Sequence, residues 1–396
     1  MILSTIKIKN KFKNKVANGF PLLTKEMLVN QDQLKQEGDI LVAVDERNQF
    51  IAKGFQGNQN KGIGWLLTWD SSEEVDQRLF SNRLRAALGR RKSWFTKTNT
   101  TAFRVFNGEG DGIGGLTIDY FDGHYLFTWY SEGIYLFRDE ILAAFEELSS
   151  YKSIYEKKRF DTKGKYLADD DFVRGERPSF PLIIKENGVN FSIYLNDGAM
   201  VGVFLDQRDV RRAIRDRFAD GKSVLNLFSY TGAFSVFASL GGAVKTTSVD
   251  LANRSVAKTI EQFSMNGIDY EAQDILVRDV FRYFDYAVKN NVKFDLVVMD
   301  PPSFARSKKH TFSAAKDYKN LMKQAIDVTE DKGMIVASTN AASFNMKKFQ
   351  RFIDEAFKEK GIRYEILETY SLPEDFMISS SFPEGDYLKV VFVKKK

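Results

Sequence analysis

At 396 residues the chain is longer than a single hydrophobic core usually organises, so two or three domains are expected. Its 43% apolar and 28% charged content is that of a globular protein, no apolar run approaches the roughly 20 residues that span a bilayer, and the N-terminus interleaves lysines with single apolar residues where a signal would have an apolar stretch; this points to the cytoplasm and away from membranes. Without cysteine there are no disulfides, thiolate metal sites, iron–sulfur clusters or thiol nucleophiles, and His124 and His310 alone are too few for a histidine metal site or a Ser-His-Asp relay.

The net charge of +5 gathers at one end: residues 1–97 hold 17 Lys and Arg against 10 Asp and Glu, a surplus of seven, which leaves the rest of the chain about two negative. Such an excess fits contact with a phosphate backbone, and equally a solvated basic face. From Ile2 to about Trp69, short β-like runs such as Asp39–Asp45 and Phe50–Gly54 are separated by Gly and Asn, which predicts a small all-β module. Ser72 to Leu88 carries apolar residues at Val75, Leu79, Leu84 and Leu88 and ends in Arg90-Arg91-Lys92, the pattern of a connecting helix.

Strand-like runs follow at Thr101–Phe106, Gly115–Tyr120 and His124–Tyr130, the last two joined by the hairpin signal Asp122-Gly123, and a helix is expected around Leu136–Leu148. The charged, Gly-dotted segment Lys157–Pro181 breaks the periodicity and marks a boundary behind a small α+β domain. Beyond Pro181 a hairpin with Asn196-Asp197-Gly198 at its turn is expected, then Phe204-Leu-Asp-Gln-Arg208 and a helix. Strands at Ser223–Phe228, Val244–Asp250, Phe294–Asp300 and Gly333–Ser338, all but the last soon followed by a helical pattern, predict an open, mostly parallel sheet covered on both faces. Ligands of such sheets bind outside the carboxyl ends of the strands, where the strand order reverses. The expected domains are 1–70, 71–180 and 181–396.

Three strand ends carry candidate chemistry. Val224–Phe234 runs from a strand through a turn with one glycine, Gly232, into a helix of small and apolar residues; the three glycines that press a dinucleotide's pyrophosphate to the backbone are missing, so an adenosine ligand without phosphate fits better. Asp250 ends the next strand roughly 20 residues on, the spacing at which a carboxylate meets ribose hydroxyls; a helix N-cap is the alternative reading of the residue. Asp300-Pro301-Pro302-Ser303-Phe304 closes a third strand: two prolines stiffen the loop and leave carbonyls free to accept, so a carboxylate and a rigid carbonyl can hold an amino group or a base edge, unless the prolines merely end the strand.

Asn226 to Phe234, Asp250, Gln273 to Asp279 and Asp300 to Phe304 resemble the ordered motifs of class I S-adenosylmethionine-dependent methyltransferases. More narrowly, the chain resembles the PUA-domain-containing bacterial 23S ribosomal RNA methyltransferases of the cytosine-C5 and guanine-N7 group, whose pattern also includes Leu205 to Arg208 and Gly110 to Gly112. The resemblance implies an α/β fold: a Rossmann-like methyltransferase domain with a mostly parallel seven-stranded sheet, an N-terminal all-β PUA-like domain and a central α+β domain. It implies S-adenosyl-L-methionine as cofactor, bound by Asn226 among others, with Ser229, Tyr230, Thr231 and Gly232 at its methionine part, Asp250 at the ribose, Asp279 at the adenine amine, and Gln207 and Arg208 closing over the site. Asp300, Pro301 and Pro302 would carry the catalytic strand end, Asp300 also facing the cofactor, and Ser303, Phe304, Thr339 and Asn340 the substrate. On the residues alone, Asp206 and Asp209 read equally as helix caps and Phe304 as a core phenylalanine, and a solvated residue is the alternative for Asp279. The implied partners are RNA, specifically 23S ribosomal RNA, and a second copy of the chain.

One departure bears on chemistry. Cytosine-C5 members of this group place a cysteine where the run Ala337-Ser-Thr-Asn340 puts Thr339. Cytosine C5 becomes nucleophilic only after a thiolate adds to C6, whereas a base nitrogen uses its own lone pair. The expected activity is therefore methylation of a base nitrogen by direct transfer, and the run Ser338-Thr339-Asn340, followed by Phe344 and Met346, resembles the guanine-N7 members of the group, which favours guanine. The alternatives are a cytosine-C5-type relative with altered or lost activity that serves mainly to bind RNA, and a methyltransferase for small molecules or proteins, against which the basic N-terminal end argues. An NAD oxidoreductase lacks its glycine fingerprint.

Overall fold

The computed structural model describes residues 3–60, 62–160, 170–198, 200–306 and 311–396. Two compact units emerge: Met1–Ile184 with Tyr194–Val201 and Glu374–Gly385, and Lys185–Ile193 with Gly202–Pro373 and Asp386–Lys396.

The first unit holds two five-stranded sheets. Strands Leu3–Lys7, Ile40–Val44, Phe50–Gln59, Gly62–Thr68 and Leu22–Thr24 lie side by side in that order, the first two parallel and the others antiparallel. The module is not all β as expected: Asn10–Ala17 is a helix, in which Val16 is buried while Lys11 and Lys15 stay exposed, so its short lysine-rich period is helical. The connecting helix spans Gln77–Arg90, five residues later than its expected start, because the Asp76 carboxylate caps it by accepting the Leu79 amide at 3.1 Å. Val75 falls outside it.

The second sheet runs Phe172–Gly175, Ser153–Lys158, His124–Trp129, Leu116–Phe121, Ala102–Asn107. Asp122 and Gly123 both take positive φ, 48° and 95°, as a two-residue turn matched to strand twist requires. The helix expected around Leu136–Leu148 spans Arg138–Glu146, and a short one at Glu132–Tyr135 precedes it. Part of the segment Lys157–Pro181, residues 161–169, lies outside the described residues. A single hydrophobic core runs from Ile6 through Phe55, Phe80 and Phe137 to Ile154 and takes in Phe382 from the C-terminal end of the chain.

That C-terminal segment is fixed by the basic cluster after the connecting helix. Arg91, 1% exposed, forms a bidentate pair with Asp111 at 2.7 Å and donates to the Asp375 carbonyl at 2.6 Å. The Arg104 amide donates to the Asp375 carboxylate at 2.7 Å. At Gly110 a Cβ would fall 1.9 Å from the Met377 carbonyl oxygen, so only glycine admits the segment there.

In the second unit the hairpin of Leu182–Glu186 and Val189–Ile193 turns at Asn187-Gly188, φ 50° and 83°, and not at Asn196–Gly198; Asn-Gly is the stronger two-residue turn signal. Asn196 instead accepts the Asp171 amide at 2.7 Å. The central sheet has seven strands: β1 (Ser223–Leu227), β2 (Lys245–Asp250), β3 (Asp274–Val277), β4 (Phe294–Met299), β5 (Thr329–Thr339), β6 (Tyr364–Tyr370) and β7 (Lys389–Lys395). Their order is β3-β2-β1-β4-β5-β7-β6; β7 alone runs antiparallel.

Helices α1 (Arg208–Ala213), α2 (Ala233–Leu240), α3 (Arg254–Met265), α4 (Val280–Lys289), α5 (Ala314–Asp327) and α6 (Met346–Lys360) accompany it. Alternation along the strands splits the apolar side chains between two cores: Leu225, Leu227, Val297, Met299 and Ile335 in one, Val224, Leu296, Val298 and Val336 in the other. Burying residues of this size contributes roughly 1.5–3 kcal/mol each. The order reverses at β1, which opens a crevice beyond the carboxyl ends of β1 and β4.

Candidate active site

The crevice is built from five strand ends. After β1 the chain turns through Phe228 and Tyr230, both at positive φ, 57° and 51°, before Gly232 at 76°. A non-glycine residue in this region costs roughly 1–3 kcal/mol and persists only where its surroundings hold it. Here Ser229 N–H donates to the Val249 carbonyl at 3.1 Å, Tyr230 N–H to the Asp250 carboxylate at 2.9 Å and the Thr231 hydroxyl to the Gly202 carbonyl at 2.7 Å. Gly232 begins α2 and leaves its first turn without a side-chain cap; a Cβ there would meet Thr259 Cγ2 at 2.5 Å. Asn226 is buried behind this loop, its Nδ2 on Ser235 Oγ at 2.9 Å, and serves to tie β1 to α2.

Asp250 ends β2 and takes a second backbone donor, Ala252 N–H at 2.9 Å, while α3 starts only at Arg254. Its carboxylate thus braces the β1 turn and is not the cap of that helix. Asp279, beyond β3, accepts the Arg282 amide at 3.1 Å and caps α4. One oxygen of Asp279 carries that structural bond.

At the end of β4, Asp300 is partly buried and Pro301 wholly so, while Pro302 is exposed. Burial pushes the Asp300 carboxyl up to about 6; the Ser338 hydroxyl, donating at 2.8 Å, draws it down, Asp206 raises it, and Gln207 and Arg211 draw it down again. Gln207 is buried, donates from Nε2 to Ser338 Oγ at 2.8 Å and leaves its Oε1 buried with no hydrogen-bond partner. Arg208 is buried at the start of α1. Ser303 donates to Asn340 Oδ1, which brings the loops after β4 and β5 together. Asn340 is exposed, but Thr339 is fully buried with its hydroxyl accepting the Ala341 amide at 3.3 Å, so its side chain is turned from the crevice. Phe304 is 63% exposed and is no core residue.

Several contributors have no motif in the sequence. Ser338 joins Gln207 to Asp300, and the buried Tyr318 hydroxyl donates to the Ser338 carbonyl at 2.8 Å. Lys389 donates to the carbonyls of Ala341 at 3.1 Å and Tyr387 at 2.8 Å, which fixes the loop after β5, and burial lowers its pKa. Phe204, 43% exposed, packs its ring 5.3 Å from that of Tyr230. The signal for Phe204 was an aromatic beside Leu205–Arg208; Ser338 and Lys389 had none short of the fold.

A sheet reversing at β1, a one-glycine turn, an acidic residue closing β2 and Asp-Pro-Pro closing β4 define a class I methyltransferase. Residues 104–376 match the family described as S-adenosylmethionine-dependent methyltransferase, and residues 6–69 match a PUA-like domain. The chain belongs to the S-adenosylmethionine-dependent methyltransferase family, whose cofactor is S-adenosylmethionine. It is 58% identical over 396 residues, the full length of both, to the Bacillus subtilis protein YwbD, which carries a provisional large-subunit ribosomal RNA methyltransferase name. It is 31% identical over 359 residues, 90% of each chain, to ribosomal RNA large subunit methyltransferase I of Pseudoalteromonas translucida. A provisionally assigned methyltransferase, SMU.776, crystallised with SAH, superimposes with a TM-score of 0.90 at 36% identity over all of both chains. The crevice suits the cofactor: the orphaned Gln207 Oε1 offers an acceptor, and Asp250 keeps lone pairs beyond its two backbone bonds. Among the described residues no helix is long and apolar enough to cross a membrane and no cluster of potential metal ligands is present.

Proposed function

We propose that the chain methylates large-subunit ribosomal RNA at a base nitrogen, guanine favoured, by direct transfer from S-adenosylmethionine. The observation that carries the choice of atom is the absence of any cysteine in the chain. An alcohol is hardly ionised near neutral pH, and Thr339 is buried with its hydroxyl engaged by a backbone amide, so no residue at that position activates cytosine C6. In direct transfer the nitrogen lone pair forms the new N–CH3 bond as the S–CH3 bond breaks, its electrons staying on sulfur to leave neutral S-adenosylhomocysteine.

In this reading Ser229 to Gly232 line the methionine part, Asp250 takes the ribose hydroxyls and the free oxygen of Asp279 takes the adenine amine, while Gln207 and Arg208 close the inner wall. Asp300 and the Pro301 carbonyl orient the target base, so that positioning supplies much of the rate. Phe304 stacks on the base. The Asn340 amide, its oxygen engaged by Ser303, presents Nδ2 as a donor suited to the O6 and N7 acceptors of guanine. Residues 1–70 supply RNA affinity, which their lysines support, 71–180 form the central domain, and chemistry resides in 181–396.

The test is mass spectrometry of nucleosides from large-subunit RNA treated with the enzyme and methyl-labelled cofactor. A labelled methylguanosine is the expected product; labelled 5-methylcytosine overturns the mechanism.

A further inference from the structure

Ser338 lies fully buried near the carboxyl end of β5. Its hydroxyl sits between two groups, with Gln207 Nε2 at 2.8 Å on one side and Asp300 Oδ1 at 2.8 Å on the other. An amide nitrogen only donates, so the hydroxyl accepts from Gln207 and its single hydrogen is committed to Asp300. Gln207 also donates to Asp300, and the reverse amide orientation would set its carbonyl oxygen against the carboxylate. The Ser338 backbone is fixed as well, since Tyr318 donates to its carbonyl at 2.8 Å and β5 pairs it with Val390 of β7.

We propose that Ser338 is a positioning residue for methyl transfer: by joining Gln207 to Asp300 it holds the Asp300 carboxylate in the orientation that presents the target base. The proposal rests on the reading of Asp300 given above. It links three separate elements, the turn before α1, the end of β4 and the end of β5, through one hydroxyl. The same hydrogen bond tunes the acid. Around Asp300, Asp206 raises its pKa, Gln207 and Arg211 lower it, and the Tyr318 hydroxyl, held protonated by burial and by the Asp300 charge, faces it from α5. Of the groups that draw Asp300 down, Ser338 acts most strongly. Removing its hydroxyl moves the Asp300 titration upward, so a rate that needs the carboxylate is lost at a higher pH.

The experiment compares wild type, Ser338→Ala, Ser338→Thr and Asp300→Asn as full-length enzymes, measuring kcat and KM for RNA across pH, cofactor affinity by calorimetry, and thermal midpoint. For Ser338→Ala we expect kcat to fall about tenfold with cofactor affinity within about twofold, and the acidic limb of the pH profile to move to higher pH. Ser338→Thr, which keeps the hydroxyl, should restore the wild-type limb. An alanine variant that is merely less stable, with unchanged kcat and an unmoved limb, overturns the proposal, as does a well-folded threonine variant with the alanine profile. Should alanine unfold the sheet, Ser338→Cys keeps the volume with a weaker donor; its limb should still shift upward, and an unshifted limb is the overturning result. Asp300→Asn separates the two claims: full activity there defeats the reading of Asp300 itself, whereas an inactive Asp300→Asn beside a wild-type-like Ser338→Ala defeats only the role of Ser338.

Discussion

The backbone N–H of Tyr230 donates to a carboxylate oxygen of Asp250 at 2.9 Å, so the residue that ends β2 also holds the strained turn after β1. Asp250 therefore braces that turn, in addition to the ribose contact proposed for it. Asp250→Ala should weaken S-adenosylmethionine binding at least tenfold, about 1.4 kcal/mol. Titration calorimetry reads this directly, and an unchanged affinity removes Asp250 from the cofactor site.

With the Asp300 carboxyl pushed up to about 6, methyl transfer should decline as pH falls through that value, because protonation removes the acceptor that orients the base. The stability effect has the opposite sense. A carboxyl whose folded pKa lies above its unfolded value binds more protons when folded, so this group lowers stability as pH rises from the unfolded value to the folded one. Asp300→Asn should thus be inactive yet raise the thermal midpoint at pH 8, by roughly 2–4 °C, with the gain vanishing in acid. A midpoint that falls at pH 8 contradicts this account of the burial.

Phe304 exposes 63% of its surface beside the Asp-Pro-Pro turn. Phe304→Ala should weaken RNA binding by roughly 1–3 kcal/mol, the range for loss of a base stack, and leave stability within about 0.5 kcal/mol. Equal RNA affinity in a filter-binding titration would show that the ring does not meet the base.

RNA affinity of the N-terminal module is better tested by charge than by deletion, since residues 1–70 share one core with the second five-stranded sheet and removing them would strip it. Lys11 and Lys15 are exposed on the helix Asn10–Ala17. Lys11→Glu with Lys15→Glu should lower RNA affinity and flatten its dependence on salt by about two phosphate contacts, while cofactor affinity holds. A salt slope identical to wild type assigns RNA binding elsewhere.

Arg91 and Asp111 are a buried, bidentate pair. Arg91→Ala leaves the Asp111 charge to Arg90, at 2.6 Å, and takes away a donor to the Asp375 carbonyl, and should destabilise the protein by about 1–3 kcal/mol in denaturant unfolding. A loss under about 1 kcal/mol would mean that water replaces the guanidinium.

The sheet and its strand-end motifs were legible because their signals are local: an apolar run, then Gly232, Asp250 or Asp300-Pro-Pro at a fixed place in the strand–turn–helix period. Turn chemistry misled at Asn196–Gly198, where a second candidate, Asn187-Gly188, stood nearer, and the charge pattern gave no sign that Arg91 is buried between the exposed Arg90 and Lys92. Ser338, Lys389 and the docking of Asp375 depend on residues tens to hundreds of positions apart, which no periodicity encodes.

The return of Glu374–Gly385 to the first unit has a consequence for synthesis on the ribosome. Phe382 packs against Phe20 and Trp65, rings made long before it, and Arg91 waits for the Asp375 carbonyl. These partners emerge only after Gly202–Pro373 of the second unit has been made. The first unit is thus completed only after most of the second has been made: a nascent chain stalled before Glu374 would display an unfilled apolar socket to chaperones, although every residue of both its sheets had long since left the tunnel.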